Sequence, residues 1–232
     1  MPPNQAAINL INIIKWIKKI KRYMNIKSFR IFDNDLDQSA INVYLSSNAI
    51  AVDTETMGLI PRRDRLCLVQ ICNEDEYISL VRVERGIESA PYLKQLMEAT
   101  HVTKVFHYAR FDVGILKYQL GINTSPIFCT KIASKLARTY TDKHGLREVV
   151  KELTQVDLDK SAQSSDWGNI QNLSEHQLQY ATNDVRYLLA ISKTLTQMLK
   201  REERYDLAIK CFDHIPTIVE LDLLGYDNVF RH

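Results

Sequence analysis

The sequence predicts one mixed α/β domain whose sheet is covered by helices, and three observations carry that prediction. Three apolar, β-rich runs follow one another between residues 49 and 80, and helical patterns with one further short strand come after them. The chain's 232 residues, 45% of them hydrophobic, suffice to bury ~70% of the unfolded surface in a single core. Ala49–Asp53, Leu66–Cys72 and Tyr77–Leu80 are separated by polar turns and read as an antiparallel meander. Pro91–Ala99 reads as a helix, Thr103–His107 as a short strand, and Phe111–Leu120 as a helix closed by Gly121. Lys131–Arg138 and Leu146–Leu153 continue the helical pattern, and Asp157–Asn172, rich in Ser, Gln and Asn, is a loop. Ser174 then caps the longest helix, which runs to about Lys200.

Composition excludes several classes. Seven Gly and six Pro are too few for a collagenous or low-complexity chain. No stretch reaches the ~20 apolar residues of a membrane span. Cys67, Cys72, Cys129 and Cys211 stand singly among apolar neighbours without a C-x-x-C pair, so reduced thiols and a cytoplasmic location are expected. The net charge of +2 hides an asymmetry. Of 30 basic residues seven lie within 1–32, with no acid among them, which leaves 23 against 28 acidic residues beyond. A polyanion therefore has to be held at a local site with the help of cations, not by bulk charge.

Residues 1–24 form a distinct basic segment. Ile13, Ile17, Ile20 and Met24 recur at helical spacing, with Lys15, Lys18, Lys19 and Arg22 on another face. Such a helix suits weak contact of residues 8–24 with an anionic membrane surface, docking on the protein itself, or an upstream extension of a chain that starts at Met24. The expected organisation is this segment followed by one domain over residues 25–232.

The chemistry lies in four acids on three separate elements. Asp53 and Glu55 end the first strand in Ala-Val-Asp-Thr-Glu-Thr; two residues apart on an extended chain, they face one side. A carboxylate that continues a buried apolar run needs a partner. Asp112 falls in the first turn of the helix after His107-Tyr108-Ala109-Arg110-Phe111, where a helix N-terminus favours an anion. Tyr180 and Asp184, four apart, share a face of the long helix beside apolar Val185, Leu188 and Leu189. Each placement alone has an ordinary explanation: a surface acid pair, a helix-start acid, a buried structural hydrogen bond. Brought together, carboxylates repel by ~4 kcal/mol per close pair at an effective dielectric of ~20, so either some stay protonated or hard cations neutralise them. Oxygen ligands favour Mg²⁺ or Mn²⁺ over Zn²⁺. Two such ions ~3.5–4 Å apart are the usual clamp for attack of water on a phosphodiester. Tyr180, beside Asp184, is placed to orient that water.

In this order and context the residues resemble the D-E-D-D exonucleases of the ribonuclease D type, over roughly residues 48–200. Ala-Val-Asp53-Thr-Glu55 resembles the first motif, and Leu68-Val69-Gln70-Ile71 the strand after it. Phe106-His107 through Asp112 resembles the second. Leu158-Asp159-Lys160, Ser165-Asp166-Trp167, Gln177 and Tyr180 through Asp184 resemble the third with its leading loop. Tyrosine four residues before the last acid marks the tyrosine branch; the histidine branch would need His at 179, which is Gln.

The resemblance implies a ribonuclease H-like mixed sheet, an antiparallel meander plus parallel strands, flanked by helices. It implies removal of nucleoside 5′-monophosphates from a free 3′ end with two ions, Mg²⁺ or Mn²⁺. Asp53, Glu55 and Asp184 would hold the tighter ion, Asp53 bridging to a second that Asp112 holds. Thr56 and Leu59 fall where related sites grip the terminal nucleotide and wedge its base. A single strand is expected to pass Lys131, Lys135, Arg138 and Arg147, with stacking from Tyr108 or Trp167.

Proofreading domains of this branch usually carry Asn where Tyr108 stands, and His107 resembles ribonuclease D. RNA is therefore the expected substrate and single-stranded DNA a second one, with a DNA-directed proofreading-type exonuclease as the alternative. An inactive nucleic-acid-binding module is the other alternative, opposed by the presence of all four acids. Residues 201–232 are too short for the helical domains that follow in full-length ribonuclease D. The segments Cys129-Thr130-Lys131-Ile132-Ala133-Ser134 and Ala208-Ile209-Lys210-Cys211-Phe212-Asp213 resemble the short bacterial forms. Residues 25–232 are thus expected to be one exonuclease domain with a short helical tail and no stable protein partner.

Overall fold

The structure, a computed structural model, describes residues 29–159, 161, 165–226 and 229. The basic segment 1–24 and its expected helix lie outside the described residues. Six strands form one mixed sheet: β1 (Phe29–Asp33), β2 (Ala49–Thr56), β3 (Leu66–Cys72), β4 (Ile78–Arg82), β5 (Thr103–Phe106) and β6 (Ile127–Cys129). Their spatial order is β1-β4-β3-β2-β5-β6. The expected meander is there, β2 against β3 and β3 against β4, both antiparallel. Parallel strands extend it on both sides, β1 along β4, β5 along β2 and β6 along β5. β3 is buried at every position, as a nearly unbroken apolar run must be when both faces of a sheet are covered.

The described helices are α1 (Gln38–Leu45), α2 (Pro91–Glu98), α3 (Ala109–Leu120), α4 (Thr130–Ala137), α5 (Leu146–Thr154), α6 (Glu175–Arg186), α7 (Leu188–Arg201), α8 (Tyr205–Asp213) and α9 (Ile215–Leu224). α3 ends on Gly121, whose φ of 62° gives the left-handed turn that closes a helix. Ser174 caps α6 in a reciprocal box with Gln177, satisfying donors that a helix N-terminus leaves open. α6 lies on β2 and β3, and α7 on β2 and β5. In the tail, α9 packs along α3, where Asp222 takes both Arg110 Nε and Nη2 at 2.5 Å.

Three expectations change. The helix expected from Ser174 to about Lys200 is two helices, interrupted at Tyr187, where ψ flattens to −9°. β1, α1 and β6 were not expected. β1 is a half-exposed edge strand without clean alternation, and β6 has three residues, too few for a pattern. Arg138 is not on a nucleic-acid path: it is 1% exposed and bound to Glu152, Ser134 and the Lys143 carbonyl. Among the described residues, no helix is long and apolar enough to cross a membrane.

Candidate active site

The pleat of β2 sends Asp53 and Glu55 to one face and Thr54 to the other. α6 crosses on the acid side and lowers Asp184 toward them. The carboxylate oxygens of Asp53, Glu55 and Asp184 lie within 4.8 Å of one another. Asp112, buried in the first turn of α3, takes a 2.7 Å hydrogen bond from the Thr54 hydroxyl, and its charge reaches both Asp53 and Glu55. Three distant stretches of chain therefore converge as the sequence suggested.

Burial, then the charges of Asp112, Asp184 and Glu55, push the Asp53 carboxyl well above the usual range. Burial, then Asp184 and Asp112, raise Glu55 to about 9. Burial raises Asp112 to about 7, against the opposing Thr54 hydrogen bond. A cluster that resists its own full ionisation, built only from hard oxygen donors, fits a hard divalent cation. Tyr180, 9% exposed, is hydrogen-bonded to Asp184, and burial first, then the carboxylates, push its phenol above the ordinary value. It stays a neutral hydroxyl.

Asp53, Glu55 and Asp184 floor a cavity of about 600 Å³, also lined by Thr56, Leu59, His107, Phe111, Lys131 and Trp167. Leu59, 82% exposed, tips the loop 57–65, which Asp64 holds by accepting from Ile60 N at 3.0 Å. A Cβ at Gly58 would come within 2.3 Å of that carboxylate, so a larger residue there would displace the Asp64 side chain from its hold on the loop. The Thr56 hydroxyl donates to the Gly58 carbonyl, which commits its proton to the loop. The Thr130 hydroxyl donates to the Phe106 carbonyl at 3.0 Å, so it accepts from His107 Nδ1 at 2.9 Å and fixes the proton there. Tyr108 sits in the left-handed region at φ 79°, half exposed, with Lys131 Nζ 4.2 Å from its ring centroid.

Trp167 is 3% exposed and packs on Tyr180 with ring centroids 6.1 Å apart. Its ring supports the tyrosine. Arg147 is engaged by Asp157 at 2.7 Å. Sequence reasoning missed two polar residues. Thr54 had a signal only in strand alternation. Gln70, fully buried directly across from Asp53, has neither amide atom hydrogen-bonded among the described residues.

The six-stranded mixed sheet with its covering helices is a ribonuclease H-like fold, on which Asp53, Glu55 and Asp184 converge as a candidate metal site beside Tyr180. The 3′-5′ exonuclease family model matches residues 29–200, and the chain belongs to that family. It is similar to Brucella melitensis NrnC bound to pGG, 44% identical with a TM-score of 0.83, covering 88% of this chain and 98% of that one. A structure of the same relative with bound Mg²⁺ is 43% identical, with a TM-score of 0.82 and coverage of 88% and 99%. A ribonuclease D from Gluconacetobacter diazotrophicus is 36% identical over 157 residues, 68% of this chain and 39% of the relative. The chain thus spans about two fifths of the curated ribonuclease D relatives it matches.

Proposed function

We propose that this chain removes nucleoside 5′-monophosphates one at a time from the 3′ end of RNA, using two divalent cations, Mg²⁺ or Mn²⁺. The observation that carries the reading is the set of carboxylate oxygens of Asp53, Glu55 and Asp184 within 4.8 Å of one another at the floor of an open cavity. Those three residues would hold one ion, and Asp53 with Asp112 the other. Bound there, the cations supply charge neutralisation and Lewis acidity to the phosphodiester.

The chain's own groups do the rest. Tyr180 keeps its proton among the acids and orients the attacking water. Leu59 projects from the rim as a wedge for the terminal base. Lys131 offers positive charge to the backbone phosphates, and Tyr108 beside it offers a ring face. Thr56 and His107 flank the terminal sugar. The ribonuclease D relatives support RNA as substrate, and the pGG complex of NrnC supports very short substrates as well. Free thiols at all four cysteines support a reducing compartment, the cytoplasm.

The test is digestion of 5′-labelled RNA with Mg²⁺ or Mn²⁺, beside single-stranded DNA and a dinucleotide. The expected result is stepwise shortening from the 3′ end, no reaction in chelator and no reaction on RNA with a blocked 3′ end. RNA left intact with both metals, or equal loss of the blocked substrate, would sink the proposal.

A further inference from the structure

We propose that Thr54, the residue between the two acids of β2, is a positioning residue for Asp112, and that its hydroxyl keeps the second cation site assembled. The D-x-E spacing treats the middle residue as a spacer. Its side chain instead leaves the opposite face of the strand and meets α3, where Thr54 Oγ1 donates to Asp112 Oδ1 at 2.7 Å across 58 residues of sequence. Both partners are buried, Thr54 at 6% and Asp112 at 3% exposure, so water does not substitute for a lost bond.

A hydroxyl has one proton to give, and Thr54 gives it to this carboxylate. The other donors near Asp112 are the backbone N–H groups of Thr54 and of Asp112 itself, which side-chain substitution leaves in place. The four acids are not equivalent. Asp53, Glu55 and Asp184 gather their oxygens into one compact set without Asp112. Asp112 arrives from another element, and among the described residues the side-chain hydrogen bond it accepts comes from Thr54. One strand thus serves both ions: Asp53 and Glu55 from its acid face, and Asp112 through Thr54 from the other.

The inference rests on the two-cation reading above, and its test keeps the two apart. Mn²⁺ is titrated into the full chain without substrate, followed by calorimetry and by the electron paramagnetic resonance of free Mn²⁺. Wild type, Thr54→Val and Thr54→Ser are compared, with melting in chelator as the check on folding. Wild type is expected to bind two classes of Mn²⁺. Thr54→Val should weaken the weaker class by about 10–100-fold, the usual effect of removing a group that orients a ligand. The tighter class should stay within about twofold, and Thr54→Ser should restore the weaker one. If Thr54→Val folds poorly, the Ser variant and an Asp112→Asn background decide, since removing the hydroxyl should then change Mn²⁺ binding no further. Both classes unchanged in Thr54→Val, or a Ser variant as impaired as Val, overturns the role of the hydroxyl. Wild type that binds no Mn²⁺ overturns the proposed function itself.

Discussion

Two regions of this molecule bury charge, and they do so in opposite ways. Around Arg138 every charge is answered: the guanidinium donates to Glu152, to Ser134 Oγ at 2.8 Å and to the Lys143 carbonyl at 2.8 Å. Around Asp53 the charges are alike. Among the described residues, no lysine, arginine or histidine forms an ion pair with Asp53, Glu55 or Asp112. The first arrangement is closed and serves the fold. The second leaves negative charge in excess, which the fold tolerates because something from outside can neutralise it.

The strongest way to break this comparison is to remove one member of each set. Asp53→Asn should lower exonuclease activity by more than about 100-fold, since a ligand matters more than the residues that orient it. Its melting temperature in chelator at pH 8 should stay level or rise, because a repelling charge is gone. Retained turnover, or a clear loss of stability, would contradict the contrast. Arg138→Met should do the reverse. Breaking a fully buried ion pair costs about 3–5 kcal/mol; Glu152 is 41% exposed and regains water, so about 2–3 kcal/mol is expected here. Thermal denaturation should show a lower midpoint, with kcat little changed on the folded enzyme.

A smaller effect sharpens the same point through pH. The carboxyls of Glu55 and Asp112 are raised from 4.5 and 3.8 to about 9 and about 7, and Asp53 moves the same way. Between pH 4 and these values the folded protein binds more protons than the unfolded chain, so stability falls as pH rises. This contribution is fully present below the unfolded pKa and is lost on the way to pH 9. Melting in chelator should therefore move down by several degrees from pH 5 to pH 9. Saturating Mn²⁺ should raise the midpoint and flatten that slope. Asp157 has the opposite sign: hydrogen bonds from Arg147 and Lys151 lower it to about 2, so its small exposed contribution is lost only in strong acid. A melting curve in chelator that climbs from pH 5 to pH 9 would contradict the charge excess.

The candidate site was far more legible in the sequence than the elements around it. Asp53 and Glu55 share a face because strands alternate, and Tyr180 and Asp184 share one because helices repeat; both are local rules. Ser174 announces its helix through a cap that needs only four residues. The break at Tyr187 has no Gly or Pro to mark it. The fate of Arg138 depends on Ser134, Lys143 and Glu152 meeting at one point, whereas an arginine at the end of a helix is ordinarily solvated. Thr54 was hidden for the same reason. Its partner lies on another element, and strand alternation says only that it points away from the acids.

The smallest expected effect concerns the border between the two kinds of region. Trp167 lines the acid cavity but is buried against Tyr180, and its indole N–H has no hydrogen-bond partner among the described residues. Trp167→Phe removes that unanswered donor along with part of the ring. The lost packing and the relieved desolvation oppose each other, so stability should change by about 1 kcal/mol or less. Trp167→Ala separates support from substrate stacking. If the ring holds Tyr180 in place, kcat falls while KM for a short RNA stays level, and Phe restores most of the rate. If the ring stacked on a base, KM would rise first, and longer substrates would suffer most. Steady-state kinetics of the two variants on a dinucleotide and a longer RNA distinguish these outcomes. Burial at 3% exposure favours the first, because a ring already covered by protein has little face left to offer a nucleobase.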